Sequence, residues 1–354
     1  MSAGRTDRLQ SLLAERELET LLVTDLTNVR YVTGFGGTNG LCVASRDQRL
    51  FLTDFRYTER ARAELRDGWE LGPAERDLLP AAAKLLRGRV GFDDAKLSVR
   101  AHKRLTDAAP EGVELVPAGG MVEQLRRAKD DVELRAIAEA AKLADRVYKS
   151  IEEEGLRGRA EFEVAHAAEA RIRELGAEPS FPVIVAAGPN GALPHAEPSQ
   201  REIGEGELVI VDMGAIVDGY CSDCTRTYAS GEIAANARDV YELVRSAQAA
   251  ALDAVRADVT CVDADAAARK PIEAAGHGER FGHGTGHGVG LEVHEAPTLS
   301  PRSEDTLAAN DVVTVEPGVY VTGGFGVRIE DLVVVTDDGH RNLSGRPKEL
   351  TVVN

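Results

Sequence analysis

The sequence predicts a two-domain α+β protein: a smaller α/β domain over residues 1–122, then a pseudo-twofold domain over residues 123–354. Three observations carry that prediction. Helix-like and strand-like segments alternate through the first third of the chain, which implies a sheet covered by helices. A turn-forming Pro117-Ala118-Gly119-Gly120 then gives way to a long amphipathic helix. Beyond it, a plan of helix, helix and acid-bearing hairpin occurs twice in nearly equal halves.

In the first domain, Leu9 to Glu17 reads as a helix, Thr20 to Val23 as a strand and Asn28 to Val32 as a short helical piece. Gly40 to Ala44 and Arg49 to Thr53 read as two strands. Tyr57 to Leu65 and Asp77 to Leu86 are helix candidates, with Arg89 to Phe92 a strand after them. No cluster of metal ligands or nucleophiles appears here. His102 is the only histidine, and a solvated surface position is its default. The domain reads as a scaffold or a specificity wall.

In the second domain, Asp130 is placed to cap a helix, with Glu133 in capping-box position. Ile137, Ala141, Ala144, Tyr148 and Ile151 recur at alternating four- and three-residue spacing, one apolar stripe. Gly155 stops it. A second helix shows Phe162, Ala165, Ala168, Ile172 and Leu175 on one face; His166 within it is a surface histidine. Val183 to Ala187 is strand-like, and a Gly/Pro/Asn loop runs to Pro198. After the first acidic hairpin, Val240, Val244, Ala247, Ala251 and Val255 mark a third helix. Val262 to Ala275 suggests a fourth, with Pro271 a candidate kink. Strand-like Val312 to Val321 and Gly326 to Val335 close the pattern.

The 354 residues, 43% hydrophobic and 29% charged, suit a soluble globular protein. A net charge of −17 argues against nucleic acid or an anionic membrane as partner. No signal-peptide pattern opens the chain and no apolar run is long enough to cross a bilayer. Cys42, Cys221, Cys224 and Cys261 form no dense disulfide pattern, which points to a reducing cytoplasm. Cys221-Ser222-Asp223-Cys224 matches C-x-x-C but lacks a second Cys/His pair, so small buried strand residues are the default reading.

The chemistry is carried by acids set in β-branched sequence. Asp212 follows Val209-Ile210-Val211, and Asp223 lies beyond a turn at Asp218-Gly219. Pairing as antiparallel strands would set the two carboxylates side by side, where they repel unless a proton or cation lies between them. Glu316 and Glu330 repeat the arrangement around a Gly323-Gly324 turn. Any one of the four alone is explained by an arginine partner at a sheet edge. Four in repeated context are not.

Of the eight histidines, His195, His283, His287 and His294 lie in loop-like or glycine-rich sequence. His283 and His287 have the spacing of a helical zinc pair, but the glycines between them oppose a helix, and no H-E-x-x-H occurs. Those glycines permit tight turns and close backbone approach to a ligand. Four carboxylates and one imidazole suit two divalent cations of the Mn²⁺, Co²⁺, Zn²⁺ or Fe²⁺ kind. Two such ions about 3.5–4 Å apart can share a water, lower its pKa and polarise a carbonyl or phosphoryl oxygen.

The runs D-M-G-A…S-D-C-T-R-T, H-G-T-G-H-G-V-G-L-E-V-H-E, V-E-P-G-V-Y and V-R-I-E-D together resemble the pita-bread metallopeptidases: aminopeptidase P, prolidase and methionine aminopeptidase. The alternating first domain with T-D-F-R-Y resembles the creatinase-type domain of the Xaa-Pro peptidases, which disfavours methionine aminopeptidase. Creatinase itself is similar in architecture but lacks the metal-binding acids.

The resemblance implies that Asp212 chelates one metal, that Asp223 and Glu330 bridge both, and that His287 and Glu316 complete the other. Manganese is the expected ion. It also implies that Glu316 moves a proton toward the leaving proline nitrogen. His195 and His294 would hydrogen-bond substrate and the developing oxyanion, and His283 would line the proline side. Arg328 would orient the site or contact substrate, a structural ion pair being the equal alternative; Tyr320 is a candidate for the pocket wall. The implied substrates are small peptides with proline second. An N-terminal residue is cut from proline, with aminopeptidase P the working expectation and prolidase, acting only on dipeptides, the alternative. A homodimer is implied by family. A catalytically inactive pita-bread binding protein is the reading of a different class, and retention of all five ligands argues against it.

Overall fold

The computed structural model describes residues 4–194 and 196–354. It divides into two compact units, the first ending at Arg126 and the second beginning at Arg127.

The first unit contains, in order, α1 (Arg5–Glu15), β1 (Thr20–Val23), α2 (Leu26–Thr33), β2 (Leu41–Ser45), β3 (Arg49–Leu52) and α3 (Thr58–Glu64). There follow β4 (Glu70–Leu71), α4 (Leu78–Ala83), β5 (Arg89–Phe92), α5 (Val99–Ala108), β6 (Glu114–Pro117) and α6 (Met121–Arg127), whose last residue is the first of the second unit. The strands form one mixed sheet in the order β4-β3-β2-β1-β5-β6, with β1 antiparallel to β2 and parallel to β5. Every residue of Thr20–Val23 is buried, as a central strand covered on both faces requires. Helix α5 and strand β6, which sequence reading passed over, turn little apolar content inward. Helix α5 buries only Leu105, and β6 has exposed ends. His102 is half-buried rather than fully solvated, its ring 5.0 Å from that of Phe92.

The second unit opens with α7 (Asp131–Glu154) and α8 (Glu161–Glu174), then β7 (Glu178–Pro179), β8 (Ile184–Ala187), β9 (Leu208–Met213), β10 (Ala215–Val217), β11 (Tyr220–Cys221) and β12 (Cys224–Ala229). Its second half has α9 (Ala235–Ala254) and α10 (Cys261–Ala274), then β13 (Gly286–Gly288), β14 (Glu295–Leu299), β15 (Val312–Val315), β16 (Gly318–Val321), β17 (Phe325–Arg328), β18 (Asp331–Val335) and β19 (His340–Asn342). The predicted capping box is present: Asp130 accepts from the amides of Val132 and Glu133, and the Glu133 carboxylate accepts from the Asp130 amide. Such a cap stabilises a helix by about 1 kcal/mol. All five predicted stripe residues of α7 are buried, and α10 runs through Pro271.

One prediction shifts on α8. Phe162 is half-buried while Glu161 is wholly buried. The Glu161 carboxylate accepts from the amide of Ala187, the Asn190 side chain, and both the amide and hydroxyl of Ser199. A buried acid of this kind is tolerated because its lone pairs are filled.

The duplicated plan is visible in the cores. Val147, Tyr148, Val164 and Ile172 of α7 and α8 pack on Val185, Val209 and Val211. Val244, Ala251, Ala264 and Ala268 of α9 and α10 pack on Val313, Val315, Val327 and Val333. Each larger aliphatic side chain so buried contributes roughly 1.5–3 kcal/mol. Each helix pair therefore backs its own set of strands.

Candidate metal centre

Strands β9 and β12 pair antiparallel with Asp212 opposite Thr225 and Met213 opposite Cys224. Between them, β10 and β11 make the tight turn, where Asp218 (φ 50°) and Gly219 (φ 81°) both take left-handed conformations, as a two-residue hairpin loop demands. Asp223 stands one residue before β12, so alternation puts its side chain on the same face as that of Thr225, toward Asp212. In the second half Val315 pairs with Asp331, which brings Glu316 and Glu330 to the adjoining ends of β15 and β18. The two hairpins are stitched together: the Glu330 amide donates to the Thr225 carbonyl at 3.1 Å, and the Arg328 amide to the Thr227 hydroxyl at 3.1 Å.

His287 comes from β13, its amide donating to the Thr314 hydroxyl at 3.0 Å. The glycine before it is required by packing, since a Cβ on Gly286 would lie 1.9 Å from the Thr314 carbonyl oxygen. The close approach expected of this glycine-rich run is thus an approach to the neighbouring strand. His287 Nδ1 lies 3.0 Å from the Gly288 carbonyl. With that nitrogen donating, Nε2 carries the free lone pair, and it points at Asp223 Oδ2 (3.6 Å) and Glu316 Oε1 (3.3 Å). Asp223, His287 and Glu330 each offer a ligand atom, all within 4.8 Å of one another.

The electrostatics are those of a site short of positive charge. Burial, then the charges of Glu330, Asp212 and Glu316, push the Asp223 carboxyl well above its ordinary range. Glu330 is pushed the same way by burial, then by Glu316 and Asp212. Burial raises Glu316 as well, and it lowers His287, favouring the neutral imidazole that a metal needs. Among the buried side-chain oxygens lacking any hydrogen-bond partner are Asp212 Oδ1 and Glu330 Oε1. Unpaired carboxylate oxygens are costly to bury, so their chemistry fits a hard cation.

One arginine enters the cluster. Arg328 donates to Asp212 Oδ2 (2.6 Å), the Tyr320 hydroxyl (3.0 Å), the Thr225 hydroxyl (3.0 Å) and the Pro194 carbonyl (3.3 Å). The Tyr320 hydroxyl also meets His283 Nε2 at 2.9 Å. His294 is exposed, with its ring 4.3 Å from that of His287. Asp212, Asp223, His287, Glu316, Glu330, His283, His294, Arg328 and Tyr320 are therefore gathered in one place, while His195 lies outside the described residues. Cys221 and Cys224 turn to different carbonyls, those of Leu291 and Glu330.

Sequence reasoning gave no role to Thr225 and Thr314. Thr225 donates to Glu330 Oε2 at 2.7 Å, and Thr314 to Glu316 Oε1 at 3.1 Å. Their signal was spacing: each stands two residues from a site acid, on the same strand face.

A duplicated α+β unit with buried acids converging from both hairpins, and an imidazole between them whose pKa burial lowers, makes a centre suited to divalent cations. The family comparison agrees. The model of metallopeptidase family M24 matches residues 135–337, and that of the creatinase/prolidase N-terminal domain matches residues 5–128. The chain belongs to metallopeptidase family M24. It is 40% identical to the uncharacterized peptidase YqhT of Bacillus subtilis, covering 99% of this chain and 100% of that one. The solved structure of an Xaa-Pro dipeptidase from Bacillus anthracis superposes with a TM-score of 0.95 at 38% identity, covering 98% of this chain and 99% of that one. An X-Pro aminopeptidase from Thermotoga maritima gives 0.89 at 32%, covering 99% and 100%.

Proposed function

We propose that the chain hydrolyses the bond between an N-terminal residue and proline, using two divalent cations held by Asp212, Asp223, His287, Glu316 and Glu330. The observation that carries this reading is the convergence of those side chains with two buried carboxylate oxygens left without protein partners. Oxygen-rich ligation with one imidazole favours Mn²⁺, with Co²⁺, Zn²⁺ and Fe²⁺ the alternatives. Two cations bound there would supply an activated water and polarise the scissile carbonyl.

The protein's own groups do the rest. Glu316, its carboxyl raised by burial, is suited to take a proton and return it to the proline nitrogen as the bond breaks. The Thr314 hydroxyl keeps one of its oxygens in place. His294, with His195, hydrogen-bonds the substrate and the developing oxyanion. His283, fixed between the Gly284 carbonyl and the Tyr320 hydroxyl, forms the wall against the proline ring. Arg328 holds Asp212 and Tyr320 in mutual register. A tertiary Xaa-Pro amide has no N–H to offer, so a wall that accepts the ring without seeking that donor selects it.

The motifs are shared by aminopeptidase P and prolidase, with aminopeptidase P the slightly favoured expectation from sequence. The higher identity and TM-score to the structure named Xaa-Pro dipeptidase support the dipeptide reading, which we place first. A cytoplasmic homodimer is part of the same proposal. The four cysteines are free and buried, which supports a reducing compartment, and no described helix is long and apolar enough to cross a membrane.

The test is hydrolysis by Mn²⁺-loaded protein of Xaa-Pro, Xaa-Pro-Xaa and Xaa-Ala substrates, with sedimentation alongside. We expect both proline substrates to be distinguished from Xaa-Ala, with the dipeptide preferred. Equal rates on Xaa-Ala would overturn the proline specificity, and no hydrolysis by protein carrying two metals would leave the binding-protein reading.

A further inference from the structure

Glu330 is gripped at its amide, its carbonyl and one carboxylate oxygen by two consecutive residues of β12. Its amide donates to the Thr225 carbonyl at 3.1 Å, and the Thr225 hydroxyl donates to its Oε2 at 2.7 Å. Its carbonyl accepts from Arg226 Nη1. Side chains 225 and 226 leave the strand on opposite faces, so one holds the carboxylate and the other the backbone. Asp223 lies two residues earlier in the same stretch of chain. The spacing between Asp223 and Glu330 is thereby set by Thr225-Arg226.

Arg226 is 2% exposed, and each edge of its guanidinium is engaged. Nε donates to the Pro347 carbonyl at 3.1 Å; Nη2 donates to the Arg346 carbonyl at 2.6 Å and to Asp331 Oδ1 at 2.8 Å. Nη1 reaches the Thr225 carbonyl at 2.9 Å besides that of Glu330. The other oxygen of Asp331 accepts from Lys348, Asn342 and Gln248 at 2.6, 2.8 and 3.1 Å. One planar fork therefore ties β12, the start of β18 and the segment at 346–347 together directly behind the acids. A lysine ammonium keeps the charge but is a point donor and cannot span these acceptors.

We propose that Arg226 is a positioning residue that fixes Asp223 against Glu330 and so sets the affinity of the metal pair. The inference rests on reading those two acids as metal ligands. It differs from a merely structural role, in which Arg226 holds the 346–347 segment and the metal site is indifferent to it.

The experiment titrates metal-free, full-length Arg226→Lys with Mn²⁺ by calorimetry, beside thermal unfolding and steady-state kinetics on an Xaa-Pro dipeptide. Loss of such an outer partner costs roughly 10–100-fold in metal affinity or activity, so a rise of that size in the Mn²⁺ Kd is expected. A fall in kcat at saturating Mn²⁺, with KM moving less than about threefold, should accompany it. A lowered Tm with Mn²⁺ affinity and stoichiometry unchanged overturns the proposal. If Arg226→Lys does not fold, Lys348→Met loosens the same clamp from its solvent side; a weaker Mn²⁺ Kd supports the proposal and an unchanged one overturns it. Wild-type protein that binds two Mn²⁺ but cleaves no Xaa-Pro peptide sinks the substrate reading, while the titration still decides the role of Arg226. Wild-type protein that binds no Mn²⁺ sinks both.

Discussion

Glu330 and Asp331 are adjacent acids at the start of β18, both buried, and their surroundings are opposite. Asp331 faces the back of the hairpins, where Arg226 and Lys348 flank it and Gln248 and Asn342 complete its hydrogen bonds. Burial alone would raise its carboxyl, but those two cations hold it below the ordinary range. Glu330 faces the front, where its close neighbours include three more carboxylates; one of its oxygens has no partner and its carboxyl is pushed up. The protein can satisfy a buried acid and does so on one face of the strand. On the other face it leaves the acids in want of positive charge, and that contrast identifies the front as the place for cations.

The strongest way to break the contrast is Glu330→Gln. On the proposed ligation this removes one member of a set that acts as a unit, and it should lower kcat by roughly a thousandfold or more. The same change relieves repulsion among the acids, so the metal-free Tm near about pH 8 should rise relative to wild type. A variant that lost activity and metal-free stability together would show Glu330 to be a structural acid like its neighbour.

Asp331→Ala sharpens the other side. It leaves Arg226 buried without its counter-charge, a change that typically costs about 3–5 kcal/mol. Urea unfolding of metal-free protein would measure it. A loss below about 1 kcal/mol, the scale of an exposed pair, would mean that the back face carries no more than surface electrostatics.

The front face was legible in sequence because its cost is local: an acid directly after Val209-Ile210-Val211, or between Ile329 and Asp331, sits in apolar, β-branched sequence that must be buried. The same rule placed Asp212, Asp223, Glu316 and Glu330 and, through the repeat, the two halves. The back face was not legible, because Arg226, Asp331 and Lys348 meet only through strand register and a distant segment. Glu161 escaped for a related reason: its donors at Ala187, Asn190 and Ser199 lie across a loop, and nothing in α8 announces them. Helix α5 escaped because a helix with one buried residue shows no stripe. Acids that lack partners reveal themselves in one dimension, whereas acids that have them need three.

The two faces should also respond to pH with opposite sign. Asp223, Glu316 and Glu330 have folded-state pKa values above their unfolded ones. Their contribution to stability is complete below about pH 4 and is lost as pH rises through the folded values. Asp331 has a folded value below its unfolded one, so its contribution is present above about pH 4 and is lost as pH falls. Between about pH 5 and pH 8 the back face is constant and the front face loses stability, so the Tm of metal-free protein should fall across that interval. On the proposed ligation Mn²⁺ would supply the missing charge, and its stabilisation should be larger at the upper pH, where the proposed ligands are deprotonated. Metal at about a hundred times its Kd contributes about 2.7 kcal/mol, which for a chain of 354 residues is a rise of about 4 °C. A scanning-fluorimetry grid of pH against Mn²⁺ reads both effects at once. If the metal-free Tm instead rose from pH 5 to pH 8, the front-face acids would be as well paired as Asp331, and the physical case for cations between the hairpins would fail.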